Sequence, residues 1–218
     1  MEDELHKLII RSAELDIQVK KILAQVRPLP IPKCRMAIAM AGISNEHADS
    51  IRMLIYSHLF TSAMSLLRLQ FESTARALWL AYVADDEYIS MHDTPLTVDD
   101  DGFDNDKPID KLLAEMRRKE GFPVQAYQSL MEFKKESWRA LGSYVHSGKH
   151  PLHRKQAGYP IQLMMTIVLH SNQLMCMNAM TAIAMSGNEQ LKNEFWELQT
   201  NNKDCFQAFS PPAPKKTS

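Results

Sequence analysis

Arg139 and His146 are the two side chains whose types and spacing point most directly to chemistry. A step of seven residues is nearly two helical turns. On a helix both would lie on one face, about 10 Å apart along the axis. Imidazole can act as general base or acid near neutral pH. An arginine fork can hold a phosphate and stabilise its developing charge. Such a pair could cleave RNA by activating a ribose 2′-hydroxyl. Lys149, His150, His153 and Arg154 follow closely and add positive charge for a phosphate or RNA ligand. From Lys134 to Lys155 there are six Lys or Arg against the single acid Glu136. The same residues admit a plainer reading, in which His146 hydrogen-bonds inside a helical bundle and the basic run is a solvated loop.

A second set lies earlier in the chain. Arg68, Glu72 and Arg76 are spaced i, i+4, i+8 and form one stripe on a helix. Leu66, Leu67, Leu69, Phe71, Leu78, Trp79 and Leu80 surround them, as on a central helix. The charged stripe therefore faces solvent, a partner or an internal polar pocket. It is either a structural ion ladder or, with Tyr144, the wall of a polar pocket that binds a small anion through its arginines.

Other chemistries fit less well. His146, His150 and His153 lack a converging fourth ligand, with Gly148 and Pro151 between them, so no metal or other cofactor is expected. An EF-hand frame laid on the acidic run Asp99–Asp104 would put Thr97 first and Pro108 twelfth, where Asp and Glu are needed. No GxSxG, P-loop, GxGxxG or HExxH occurs.

The elements that must position these residues read as helices. The chain has 218 residues, only 7 Gly and as many as 14 Met, a composition that favours helix over sheet. Leu5, Leu8, Ile9, Leu15, Ile17, Val19 and Ile22 mark a first helix, ended by Pro28, Pro30 and Pro32. A long region from Ser44 to Ala84 follows, as one helix or two with a break near Ser57 to Thr61, and with Ser44 or Asn45 as its cap. Residues 93–108 read as an acidic loop. Helices are expected over Ile109–Lys119, Val124–His146, Ile161–Met185 and Glu189–Gln199, with an irregular stretch around Gly148, Pro151, Gly158 and Pro160. The Met-rich helix from Ile161 is core, or alternatively the wall of a partner groove. The expectation is an all-α, antiparallel bundle of about five to seven helices, a single domain over 1–199 with a flexible tail over 200–218.

The net charge of -1 supplies no global field toward nucleic acid or membrane. Cys34, Cys176 and Cys205 are odd in number and form no CxxC, as in a reducing compartment. The opening MEDELHKLII lacks a secretory pattern, and Ile161–Met185 carries too many polar groups for a membrane span, so a cytoplasmic location is expected.

The segments SLLRLQFESTARALWLAYVAD and SWRALGSYVHSGKHPLHR resemble an uncharacterised family of helical bacterial proteins of about this length, over roughly Ser57 to Gly187. More remotely, Arg139-ALGSYV-His146 resembles the Arg-x4–6-His motif of HEPN domains, with Ala140 where a polar residue is common. HEPN domains are helical bundles, often dimeric, and many are ribonucleases of toxin–antitoxin or anti-phage systems. That resemblance implies a metal-independent endoribonuclease with Arg139 and His146 as the catalytic pair. It also implies a homodimer and, as partners, RNA and an antitoxin or defence-system protein. The competing expectation is a non-catalytic helical module that binds a protein partner or a small anion.

Overall fold

The computed structural model describes residues 2–94 and 107–206. They form nine α-helices: α1 (Glu2–Leu23), α2 (Pro32–Tyr56), α3 (Phe60–Tyr82), α4 (Asp86–His92), α5 (Ile109–Arg118), α6 (Val124–Val145), α7 (Lys149–Ala157), α8 (Ile161–Ser186) and α9 (Glu189–Asn201). A single 3-10 turn, Lys203–Cys205, closes them. The all-α class is as expected, and the described residues contain no strand. The count of five to seven helices is corrected to nine. One addition is α4, nucleated where the Asp85 carboxylate accepts the Tyr88 amide at 2.8 Å. Another is α7, which occupies the stretch expected to be irregular. Pro151 sits in its first turn, where the missing N–H costs no intrahelical bond. The 93–108 loop lies mostly outside the described residues.

Prolines also moved the start of α2. Pro32 begins that helix, with extended Ile31 before it, so the helix opens well ahead of Ser44. Ser44 is not a cap but a buried mid-helix residue. Residues 57–59 turn the chain, and α3 runs back along α2.

Helix α3 is the centre of the molecule and packs on α2, α5, α6 and α8. Phe71 is wholly buried, stacked on Phe133 at 4.6 Å between ring centroids and edge-on to Trp138 at 5.5 Å. Trp79 is also buried and donates its indole N–H to Glu115 at 2.7 Å. The Phe71→Ala variant should lose about 3–5 kcal/mol of stability, the transfer term plus the cavity left behind. Urea melts will show this as a lower midpoint at unchanged slope. A loss below about 1 kcal/mol would mean that α6 collapses onto α3 without the ring.

Polar groups also cross the core. The Asn178 side-chain amide on α8 donates to Ser44 Oγ on α2 at 2.7 Å and to Thr74 Oγ1 on α3 at 3.1 Å. Gln70 on α3 donates to the Ser171 carbonyl on α8 at 2.9 Å. At the α1–α2 contact, buried Arg52 pairs with Asp16 at 3.1 Å and also with Asp49, and Lys20 bridges both acids.

A second core cluster joins α1, α8 and α9 around Leu15, Val19, Phe195 and Cys205. Cys205 has 0% exposure, so the packed domain runs beyond the expected boundary at 199, to Phe206. The rest of the expected tail, 207–218, lies outside the described residues. The three cysteines are free and buried. No helix among the described residues is long and apolar enough to cross a membrane.

Candidate functional site

Helix α6 turns Leu130, Phe133, Leu141 and Tyr144 into the core. At 100° per residue, that stripe places Arg139 and His146 about half a turn away, on the opposite side. Both are exposed, as that geometry requires. Among the described residues neither makes a side-chain hydrogen bond or ion pair. His146 is the first residue past the helix and sits in its cap position. Both side chains stand on the open surface rather than inside the bundle.

A clamp fixes the height of that face on the core. The guanidinium carbon of Arg68 lies 3.0 Å from the Trp138 ring centroid. Arg68 Nε donates to Glu72 Oε1 at 2.6 Å, and one Nη donates to the Trp138 carbonyl at 3.0 Å. A Cβ at Gly142 would stand 3.0 Å from that Nη, so a larger residue there would press the guanidinium to shift by a few tenths of an ångström. Beside the stacking, the two hydrogen bonds engage two of the five N–H groups of Arg68. Its role here is to tie α3 to α6, one residue before Arg139. Arg76 lies a further two turns along α3 and donates to the Lys107 carbonyl at 3.3 Å, near the start of α5. The three residues of the stripe thus serve two different contacts. With Glu72 side chain 29% exposed and Arg68 17%, the Glu72→Ala variant should lose about 1–2 kcal/mol, between the surface and buried limits. Urea melts beside Arg68→Ala measure it, and a loss near zero would show that Trp138 alone holds the guanidinium.

The reversal from α6 into α7 uses Ser147 at φ 52 and then Gly148. A Cβ on Gly148 would fall 2.6 Å from Ser143 Oγ, and that same oxygen accepts the His150 amide at 3.1 Å. The turn lays α7 beside the end of α6, with Pro151 buried as its anchor. Lys149, His150, His153 and Lys155 remain exposed. Arg154 is half-buried, and its charge acts on the Tyr144 phenol. Burial pushes that phenol's pKa up, and Arg154 opposes the shift only in part. Arg139, His146, Lys149, His150, His153 and Lys155 make up the exposed surface here, with the His150 ring 6.4 Å from that of Tyr144.

Some features left no local trace in the sequence. A cluster of Trp79, Lys107 and Glu115 forms at the α3–α5 contact, with the Lys107 ammonium 4.4 Å from the Trp79 ring centroid. An apolar groove opens between α3, α6, α8 and α9, and Met177 and Met180 contribute to its wall. The Met-rich pattern of α8 was the one signal for it. Among the described residues no group of three His, Cys, Asp or Glu could hold a metal ion.

Residues 41–208 match the model of a family described as a family of unknown function (DUF6988). No curated protein and no solved structure matches the chain.

Proposed function

We propose that this chain, which belongs to the DUF6988 family, acts on RNA through the open cationic face of α6 and α7, with Arg139 and His146 as its cleaving pair. One observation carries the reading. The two side chains share the outward stripe of α6, are unpaired among the described residues, and stand beside the exposed cations of α7. A phosphate in that space would meet a guanidinium, an ammonium and imidazoles, and nearby Glu136 is the single acid between Lys134 and Lys155. The Arg-x6-His spacing resembles that of HEPN ribonucleases, and a place in toxin–antitoxin or anti-phage defence belongs to the same proposal.

The reaction would be an in-line transfer. His146 takes the proton of a ribose 2′-hydroxyl, and the oxygen attacks the adjacent phosphorus. Arg139 neutralises charge gathering on the non-bridging oxygens. The bond from phosphorus to the 5′-oxygen breaks, and that oxygen takes a proton from the protonated imidazole of a second copy. The products are a 2′,3′-cyclic phosphate and a 5′-hydroxyl. A homodimer that faces two such surfaces across one cleft supplies the acid that a single open face lacks.

The test is incubation of purified protein with total RNA and with tRNA, in the presence and absence of a metal chelator. The expected result is cleavage that ignores the chelator and leaves cyclic phosphate ends. RNA binding should weaken steeply with salt, and Lys149→Ala should reduce the salt slope by about one contact. Neither cleavage nor salt-sensitive RNA binding under any condition would overturn the proposal. The second reading, a non-catalytic module, is supported by the open exposure of Arg139 and His146, which suits a partner surface. In that case RNA or an acidic protein partner binds and stays intact.

A further inference from the structure

We propose that the groove between α3, α6, α8 and α9 is a binding site for an uncharged small molecule carrying an aromatic ring. The inference is independent of the RNA reading, because the groove lies apart from Arg139 and His146. Its volume is about 770 Å³, within the range of sites that hold drug-sized ligands. Tyr82, Trp196 and Phe206 supply aromatic surface, and Met177 and Met180 supply unbranched side chains that adapt to an irregular shape. Trp196 is 54% exposed at the rim and presents its indole to an entering ligand.

Charge decides the class of ligand. Of the 15 described residues that line the groove, none is Lys, Arg, Asp, Glu or His. A fatty acid or a nucleotide would bring a charge with no partner on the wall, at a desolvation cost. The wall does offer neutral hydrogen-bonding groups. Gln125, Gln173 and Ser129 line it, and among the described residues their side chains have no hydrogen-bond partner. The Cys176 thiol at the groove is buried and its pKa is raised by desolvation, so it stays neutral as well. An aromatic ring among the methionines and aromatics, with a hydroxyl or amide on Gln173, meets every group that the wall presents.

The probe is the neutral dye N-phenyl-1-naphthylamine, titrated onto the full chain and read by its fluorescence gain. Saturable binding of one dye per chain is expected. Neutral 1-naphthylmethanol should displace it at a concentration at least tenfold lower than anionic 1-naphthoate. Ser129→Trp, which fills the groove from α6, should weaken the dye at least tenfold, and Trp196→Ala, a rim change with little risk to folding, about fivefold. His146→Ala should leave dye binding unchanged, which separates this outcome from that of the RNA assay. Unsaturable binding, or wild-type affinity in both groove variants, would overturn the proposal. So would displacement led by the anion. A concentration-dependent dimer broken by Ser129→Trp would give the groove to a second copy instead. An affinity gained on Phe209→Ser would give it to the chain's own 207–218 segment. Either result would also overturn the proposal.

Discussion

His146→Ala is expected to abolish RNA cleavage while leaving thermal unfolding where it is in the wild type. The imidazole carries the transferred proton in the proposed reaction. Because His146 is exposed and lies past the last helical residue, its removal opens no cavity and orphans no buried partner. Changes of that kind shift stability by about 0.5 kcal/mol or less. Arg139→Ala should slow cleavage about a hundredfold, equivalent to about 3 kcal/mol of lost transition-state stabilisation. The loss should appear in kcat more than in KM, since the guanidinium answers charge that develops only as the bond breaks. Arg139→Lys should recover little, because an ammonium cannot form the two-pronged contact. Time courses on tRNA, beside melting curves of each variant, measure both effects. Cleavage that survives equally in His146→Ala would assign the activity to another site or another protein.

Asp16→Ala is expected to cost about 3 kcal/mol, the largest single loss among the charged positions. Arg52 lies with its side chain 8% exposed, and Asp16 opposite it is 11% exposed. Asp49, the other acid on Arg52, is 42% exposed and screened by water. Without Asp16, the guanidinium keeps its desolvation cost and loses the partner that shares its burial. Replacing both members of the pair by leucine should cost less than the sum of the single changes, since no charge is then left stranded. Urea melts of the two single variants and the double variant supply the comparison. A loss under about 1 kcal/mol for Asp16→Ala would mean that Asp49 and solvent already satisfy Arg52.

The helical class was legible because it rests on properties spread along the chain: scarce glycine and apolar residues at helical spacing. The exposure of Arg139 and His146 follows from the same pattern, since Leu141 and Tyr144 fix which side of α6 faces in. Punctuation was harder to read. Pro32 and Pro151 look like breaks in a one-dimensional pattern, yet each sits in a first turn, where proline is harmless, so α2 started early and α7 was missed. The contact of Arg68 with Trp138 spans 70 residues and leaves no local periodicity to detect. In the stripe of Arg68, Glu72 and Arg76, the first two pair with each other at 2.6 Å, and Arg76 reaches the Lys107 carbonyl. Cys205 illustrates the same limit near the chain end. A polar neighbourhood in sequence suggested a tail, while tertiary packing against α1 and α8 buries the thiol.

The amide of Asn178 acts as an indexing pin. Ser44, Thr74 and Asn178 lie on three different helices and meet within 3.1 Å of one side-chain nitrogen. Apolar contacts between helices tolerate sliding, because one leucine or methionine fits a hole nearly as well as another. A buried amide does not. A slide of α8 by one turn would carry the nitrogen about 5.4 Å from both hydroxyls and leave three polar groups dry. The methionines that give α8 its adaptable surface are therefore free to rearrange around a helix whose own height is set. The groove beside it can change shape without α8 losing its place.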